Sequence, residues 1–361
     1  MQKFSKFLIG LIGLTILVGI LAHFRGKPAP PVGQTASAST TNRPYLHSHR
    51  LSTAEPETSE VANSDGLLKI SEEKIDEYLR LHNRNAASLL AAFHGLGDTN
   101  YLNEAATNFP NDPRVQWTVL ARNAFPEERR KWLDNFKTSS PSNSLANYLS
   151  ARDYFKNNEP DAAMKELLAA SGKSQFKDYS MDTVLDGEDL GRFGGSSAMD
   201  TRVAAMAAMG GDLLPELGNL KGIAGDIRDL QQQYVNSGDA ASAQNLAQLG
   251  LSLATRFSSG DEGKFLISQL VGIGAEAIVL ESLDINTSYD FLGGETPTQR
   301  LAELKQQRAS IRELNQNLNS FLPTMSEDQM ANYWERQKIY GELEAMRWLV
   351  QQTAATPNSG N

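Results

Sequence analysis

Two patterns of apolar and polar positions divide the chain. Over residues 8–24 it reads LIGLIGLTILVGILAHF, an apolar run with no charged residue and no polar face. At 1.5 Å per residue this run spans roughly 25 Å, and Phe4 and Phe7 extend it toward the ~30 Å of a bilayer's hydrocarbon core. The pattern predicts a transmembrane anchor over residues 1–25. The positions just past it hold His23, Phe24, Arg25 and Lys27, none of them the small residue that signal peptidase needs, so the anchor is expected to stay attached. Lys3 and Lys6 ahead of the run bias the amino terminus inward and the body outward. Residues 26–65 hold Pro28, Pro30, Pro31, Pro44 and Pro56 among Ser/Thr-rich stretches. Almost nothing there can be buried, which predicts a disordered linker.

From Ser71 onward the period becomes helical. Ser71 followed by Glu72 and Glu73 reads as an N-cap with acidic residues in the first turn, where the helix dipole favours them. Thr296-Pro297-Thr298-Gln299 and Ser326-Glu327-Asp328-Gln329 read as capping boxes. No alternating strand pattern bounded by turn dipeptides occurs, and the apolar stretch 277–280 continues a helical segment that begins near Phe265. The fold class expected is all-α.

Residues 143–170 read NSLANYLSARDYFKNNEPDAAMKELLAA. Ala151 and Tyr154 lie in a first helix, residues 157–160 make a polar turn, and Ala163, Leu167 and Ala170 lie in a second. This unit resembles a tetratricopeptide repeat. The stretch before it is similar: prolines recur at Pro110, Pro113 and Pro141, and Leu102 and Ala105 are placed as the family places them. Further on, Tyr234, Gly238, Ala243 and Gly250 fit, with Ala247 where a large residue is usual. The resemblance covers mainly residues 100–170 and 230–257. It implies antiparallel helix pairs stacked in a superhelix. It also implies a partner groove on the concave face, where Asn147, Tyr148 and Tyr154 are the candidate binding residues.

The domain boundaries expected are a helical repeat domain over 66–290, a C-terminal helical hairpin over 291–352 and a disordered tail over 353–361. Within the repeat domain, residues 171–200 are rich in Gly and acids and read as an irregular insertion, a loop or a short helix with irregular flanks. In the hairpin, Leu301, Leu304, Ile311, Leu314, Leu318 and Phe321 form one apolar stripe. Met330, Tyr333, Tyr340, Leu343 and Val350 run along the returning helix.

Charge and composition narrow the chemistry. The net charge is −9, and it divides unevenly, with residues 1–60 at +3 and the acidic excess on the body. That balance argues against nucleic acid, which needs clustered Lys and Arg. The chain has no cysteine, so it has no disulfide, thiolate zinc site, Cys nucleophile or lipidated N-terminus. Gly172-Lys173-Ser174 lacks the first glycine of a phosphate-binding loop, since Leu167 stands there. Ser71 and Lys74 match S-x-x-K without a K-T-G partner. Asp182, Asp186 and Gly187 start like a calcium loop, but Val184 and Phe193 break its ligand pattern. His82 and His94 lie about 18 Å apart along one helical stretch, too far to share a metal.

No cofactor, metal site or catalytic residue is expected, and the chain reads as a non-enzyme. The expected function is a membrane-tethered scaffold in a bacterial inner membrane, single-pass, with its body in the periplasm. Its partner would be a protein or peptide, and its membrane contact residues 4–24. The alternatives are an assembly subunit that oligomerises through the C-terminal hairpin and an envelope enzyme acting on cell-wall polymer.

Overall fold

Eight helices begin where a short polar side chain replaces a missing backbone partner. The structure, a computed structural model, describes residues 68–258 and 262–355. The anchor expected over 1–25, the linker over 26–65 and residues 356–361 of the tail lie outside them. Ser71, Asn85, Asp98, Asp112, Ser197, Asp239, Thr296 and Ser326 each accept a backbone N–H of a first turn. The Thr296 and Ser326 capping boxes form as the spacing predicts.

Among the described residues the secondary structure is α-helical with short 3-10 turns. The first eight helices are α1 (Glu72–Leu81), α2 (Ala86–Leu96), α3 (Thr99–Asn108), α4 (Pro113–Ala121), α5 (Arg129–Ser139), α6 (Leu145–Lys156), α7 (Pro160–Ser171) and α8 (Ser180–Phe193). Then come α9 (Ala198–Asn236), α10 (Ala240–Phe257), α11 (Leu266–Leu280), α12 (Pro297–Phe321), α13 (Glu327–Tyr340) and α14 (Glu342–Ala355). The all-α expectation holds. Residues 353–355, expected in the tail, belong to α14.

One stop signal recurs at five helix ends. The backbone N–H of Arg84, Ala124, Glu159, Ser196 and Asp239 each reaches back five residues, to the carbonyl of Leu79, Val119, Tyr154, Gly191 and Tyr234. In each case the residue before the donor is left-handed: Asn83, Asn123, Asn158, Gly195 or Gly238. That bond satisfies orphan carbonyls and reverses the chain. Asn and Gly are the residues that tolerate positive φ there.

Neighbouring helices then pack in sequence, α2 on α3, α4 on α5 and α6 on α7. Leu102, Ala105, Ala151, Ala163, Leu167 and Ala170, placed at close approaches by the sequence pattern, are all buried. At the last turn of α7, the guanidinium of Arg256 on α10 donates to the carbonyls of Lys173 (2.6 Å) and Gln175 (3.3 Å). It also reaches the carbonyls of Ala170 and Ser171 (3.4 Å each), and so supports a C-terminus whose cap residue, Gly172, stays right-handed.

The stretch 171–200 contains the ordered helix α8, packed against α2 and α9. Its glycines are contact points. A Cβ on Gly191 would lie 2.5 Å from the Thr201 hydroxyl and 2.9 Å from its Cβ, and one on Gly187 would lie 3.1 Å from the Ala205 Cβ. Both neighbours belong to α9, so these glycines let α8 and α9 touch.

α9 runs for 39 residues through Gly210, Gly211, Pro215, Gly218, Gly222 and Gly225. Relative to alanine, five glycines and a proline cost a helix roughly 8 kcal/mol. Tertiary contact must supply that: Leu213, Leu217, Leu220, Ile223, Ala224 and Ile227 are buried, and α9 packs on α2, α4, α6, α8, α10 and α11.

The returning arm of the C-terminal segment breaks at Gly341, whose φ of 88° and ψ of 162° are open to glycine and strained for other residues. A Cβ there would also lie 3.2 Å from the Lys264 Cα. The break turns Ala345, Met346 and Leu349 inward, so Leu343 and Val350, expected on the buried stripe, sit at its edge. Beside it, the buried Glu342 accepts the Leu266 N–H at 2.9 Å and caps α11.

Gly218 and Gly225 meet no atom within 4 Å of an added Cβ. Gly218→Ala and Gly225→Ala are therefore expected to stabilise the protein by about 0.5–1 kcal/mol each, through helix propensity alone. Guanidinium unfolding checks this, and destabilisation by either change would show an unrecognised contact.

Candidate functional site

The face that α9 turns toward the preceding helices carries Asp212, Glu216, Asn219 and Asp226, which fall on one side at helical spacing. Opposite them stand cations. Arg122, just past α4, donates to Asp212 through Nε and to the Ala208 carbonyl at 3.2 Å through Nη2. Arg152 of α6 pairs with Asp226, and Lys156 Nζ donates to Asn219 Oδ1 at 3.0 Å. Burial pushes the Glu216 carboxyl above its ordinary range, against the pull of Arg129, a hydrogen bond from Asn219 and the pull of Lys156.

The glycines of α9 alternate between two uses. A Cβ on Gly211 would lie 2.6 Å from the Arg122 guanidinium, and one on Gly222 would lie 2.8 Å from that of Arg152. Each arginine therefore lies flat against a glycine while it reaches an aspartate. Asp212 is buried while Arg122, Arg152 and Asp226 keep part of their surface in water, so each pair depends on its partners being held in place.

Behind Asp212 lies His94 of α2, its Nε2 2.8 Å from Asp212 Oδ2, with both side chains almost fully buried. Burial pushes the Asp212 carboxyl up, but His94 and Arg122 outweigh it and hold the group below its ordinary range. His94 also borders a chamber of about 10 Å³, room for about one water molecule, walled by Arg114, Tyr179, Asp182 and Asp186. Arg114 Nη1 donates to Asp186 Oδ2 at 3.3 Å. Burial raises Asp186 to about 6, opposed by Arg114 and, more weakly, by His94. Tyr179 enters α8 at a left-handed φ of 58°, a strained setting for a side chain of that size. Its neighbour Asp178, pushed up by burial, accepts the Ser180 N–H at 2.9 Å.

These groups make an acid–base cluster around a volume that admits no substrate larger than water. A second opening is far larger. Between the end of α10, α11, α12 and α14 lies a cleft of about 980 Å³. Ile273, Ile311 and Leu314 contribute its apolar part, and Gln306, Gln307 and Asn317 its amides. One end is closed by Arg300, which reaches both oxygens of Glu276 (2.6 and 3.2 Å) and also Glu303 (2.7 Å).

The three residues expected on a partner-binding face divide. Asn147 is 4% exposed, and its side chain donates to Glu166 Oε2 at 2.6 Å. Tyr148 is 1% exposed, with its ring edge-on to Phe176. Neither faces a partner in this arrangement, because the chain's own α7 and the segment after it cover them. Tyr154 is half-buried beneath the Arg130 guanidinium, 4.4 Å from its ring centre.

Ser71 serves as an N-cap, and Lys74 Nζ reaches the Gly194 carbonyl. Asp182, Asp186, Glu188 and Asp189 lie on α8. Among the described residues no group of three or more His, Asp or Glu side chains is placed to hold a metal ion, and no helix is long and apolar enough to cross a membrane. The Arg122–Asp212 and Arg152–Asp226 pairs escaped the sequence reading. One signal for them was present: Gly211-Asp212 and Gly225-Asp226 stand fourteen residues apart, close to four helical turns, and so share a face. Compared with protein families, curated proteins and solved structures, the chain matches none.

A half-buried carboxyl whose pKa is raised favours the protonated form, so the folded state should lose stability as pH rises from about 4 to about 6 and Asp186 ionises. Asp212 acts in a separate window, losing its contribution as pH falls below about 4. Asp186→Asn is expected to flatten the first of these slopes by about 2–3 kcal/mol. Urea unfolding across pH 4–7 checks this, and an unchanged slope would remove Asp186 as its source.

Proposed function

We propose that the protein is a non-catalytic, membrane-tethered interaction scaffold. Its body is an array of tetratricopeptide-like helix pairs with a C-terminal helical segment packed on it. The apolar run at 8–24 holds it in a bacterial inner membrane, and the residues that follow tether the body on the outer side. Its partner is a protein or peptide.

The observation that carries this reading is how the polar groups are used. The acids and bases around α8 and α9 are paired between helices or set around a chamber of about 10 Å³, and on the larger opening Arg300 is paired with Glu276 and Glu303. The large opening is the cleft of about 980 Å³, where apolar side chains stand beside amides and charged groups, and apolar pockets with a few convergent polar groups are the usual form of a binding site. Amide side chains such as Gln306 and Gln307 offer both donor and acceptor, which suits a peptide backbone. The assembly alternative is favoured by a different feature, since Ile339 and Tyr340 at the end of α13 are 61% and 59% exposed.

A photo-crosslinking residue placed at Gln307 in the full-length chain, in its membrane, tests the reading. The expected result is an adduct with a partner protein that is lost when Ser310, also on the cleft wall, is changed to Arg. A residue at the exposed Leu168 of α7 is expected to give none. An adduct at twice the chain's own mass would favour the assembly alternative, and equal labelling from both positions would overturn the proposal.

A further inference from the structure

The array face beneath α9 is basic, and α9 meets it with acids. Arg122, Arg129, Arg152 and Lys156 stand on one side; Asp212, Glu216 and Asp226 stand on the other. The two ends of α9 are fastened differently from its middle. The first turns touch α8 where Thr201 and Ala205 seat on Gly191 and Gly187, and the last part packs on α10 and α11, where Gly250 meets Ile227 and Val279. The middle holds Gly210, Gly211, Pro215, Gly218, Gly222 and Gly225, the residues least able to keep a helix on their own. At Gly218 and Gly225 no neighbour requires the missing side chain, so their one local effect is to weaken the helix.

We propose that the middle of α9, residues 211–225, is a displaceable occupant of the array's basic face, and that an acidic amphipathic helix of a partner protein takes its place. Charge complementarity defines the replacement. It must bring carboxylates to Arg122 and Arg152, and it must bring Leu or Ile side chains at the spacing of Leu213, Leu217, Leu220 and Ile223, which are buried there now. Once α9 lifts, Arg122 and Arg152 lose their carboxylates and Lys156 its amide partner Asn219, while Arg129 keeps Asp153, and an acidic helix is the surface that restores the lost pairs. The ends of α9 stay fastened, so release is a local opening of the kind that leaves the remaining helices folded. This inference rests on the scaffold reading and adds how the array is regulated.

Two measurements on the full chain in detergent test it. In hydrogen exchange, amides of 211–225 are expected to exchange at least 100-fold faster than those of α4 and α6, and the double change Gly218→Ala, Gly225→Ala should slow them roughly tenfold. A fluorescent peptide copying residues 208–230, with alanine at positions 218 and 225, is expected to bind the wild type and to bind the double variant at least fivefold more weakly. A control peptide with Asp212, Glu216 and Asp226 changed to Lys should not bind. Exchange through 211–225 as slow as through α4 and α6, or equal peptide binding by wild type and double variant, would overturn the proposal. Absence of cleft adducts together with fast exchange and selective peptide binding would count against the cleft as the partner site and leave displacement standing.

Discussion

The fold depends on how one long helix is held. α9 contains residues that by propensity should not form an uninterrupted helix, yet it runs through the middle of the structure and contacts six others. What holds it in register is a pair of guanidinium–carboxylate contacts, Arg122 with Asp212 and Arg152 with Asp226, each seated over a glycine. Apolar burial of Leu213, Leu217, Leu220 and Ile223 provides most of the attraction, but it tolerates sliding. A paired charge does not, because a slip by one residue would leave Asp212 buried without Arg122 and separate the half-buried Arg152 and Asp226.

The same logic explains the polar interior. His94 sits behind Asp212 and Arg122 in front of it, so one carboxylate is shared by two cationic or polar neighbours from different helices. Elsewhere Glu188 of α8 joins Arg202 of α9 and Lys338 of α13, the last at 3.0 Å, and ties the C-terminal segment to the centre. Glu342 does similar work as a cap on α11. These carboxylates act as fasteners between helices.

Much of the local structure was legible in the sequence because local rules govern it. Ser71, Thr296 and Ser326 cap helices through contacts three residues away, and Ala151, Ala163 and Ala170 are small where helices cross. What was not legible depended on distance. Gly187 and Gly191 looked like a loop because glycine usually is one, and their partners Ala205 and Thr201 act only after α8 and α9 meet. Asn147 and Tyr148 looked available because the resemblance implied an open face for them; here α7 and Phe176 pack against them. The candidate cluster was hidden for the same reason, since Arg122 and Asp212 are ninety residues apart and neither is unusual alone.

The most direct test of the central claim is a double-mutant cycle on Arg122→Met and Asp212→Asn, read by guanidinium unfolding. If the pair fixes α9 on the array, the two changes should be strongly non-additive, with a coupling energy of at least about 1 kcal/mol, of the size found for residues in one buried network. Additive effects, with coupling near zero, would mean that α9 is held by apolar burial alone and would contradict the account.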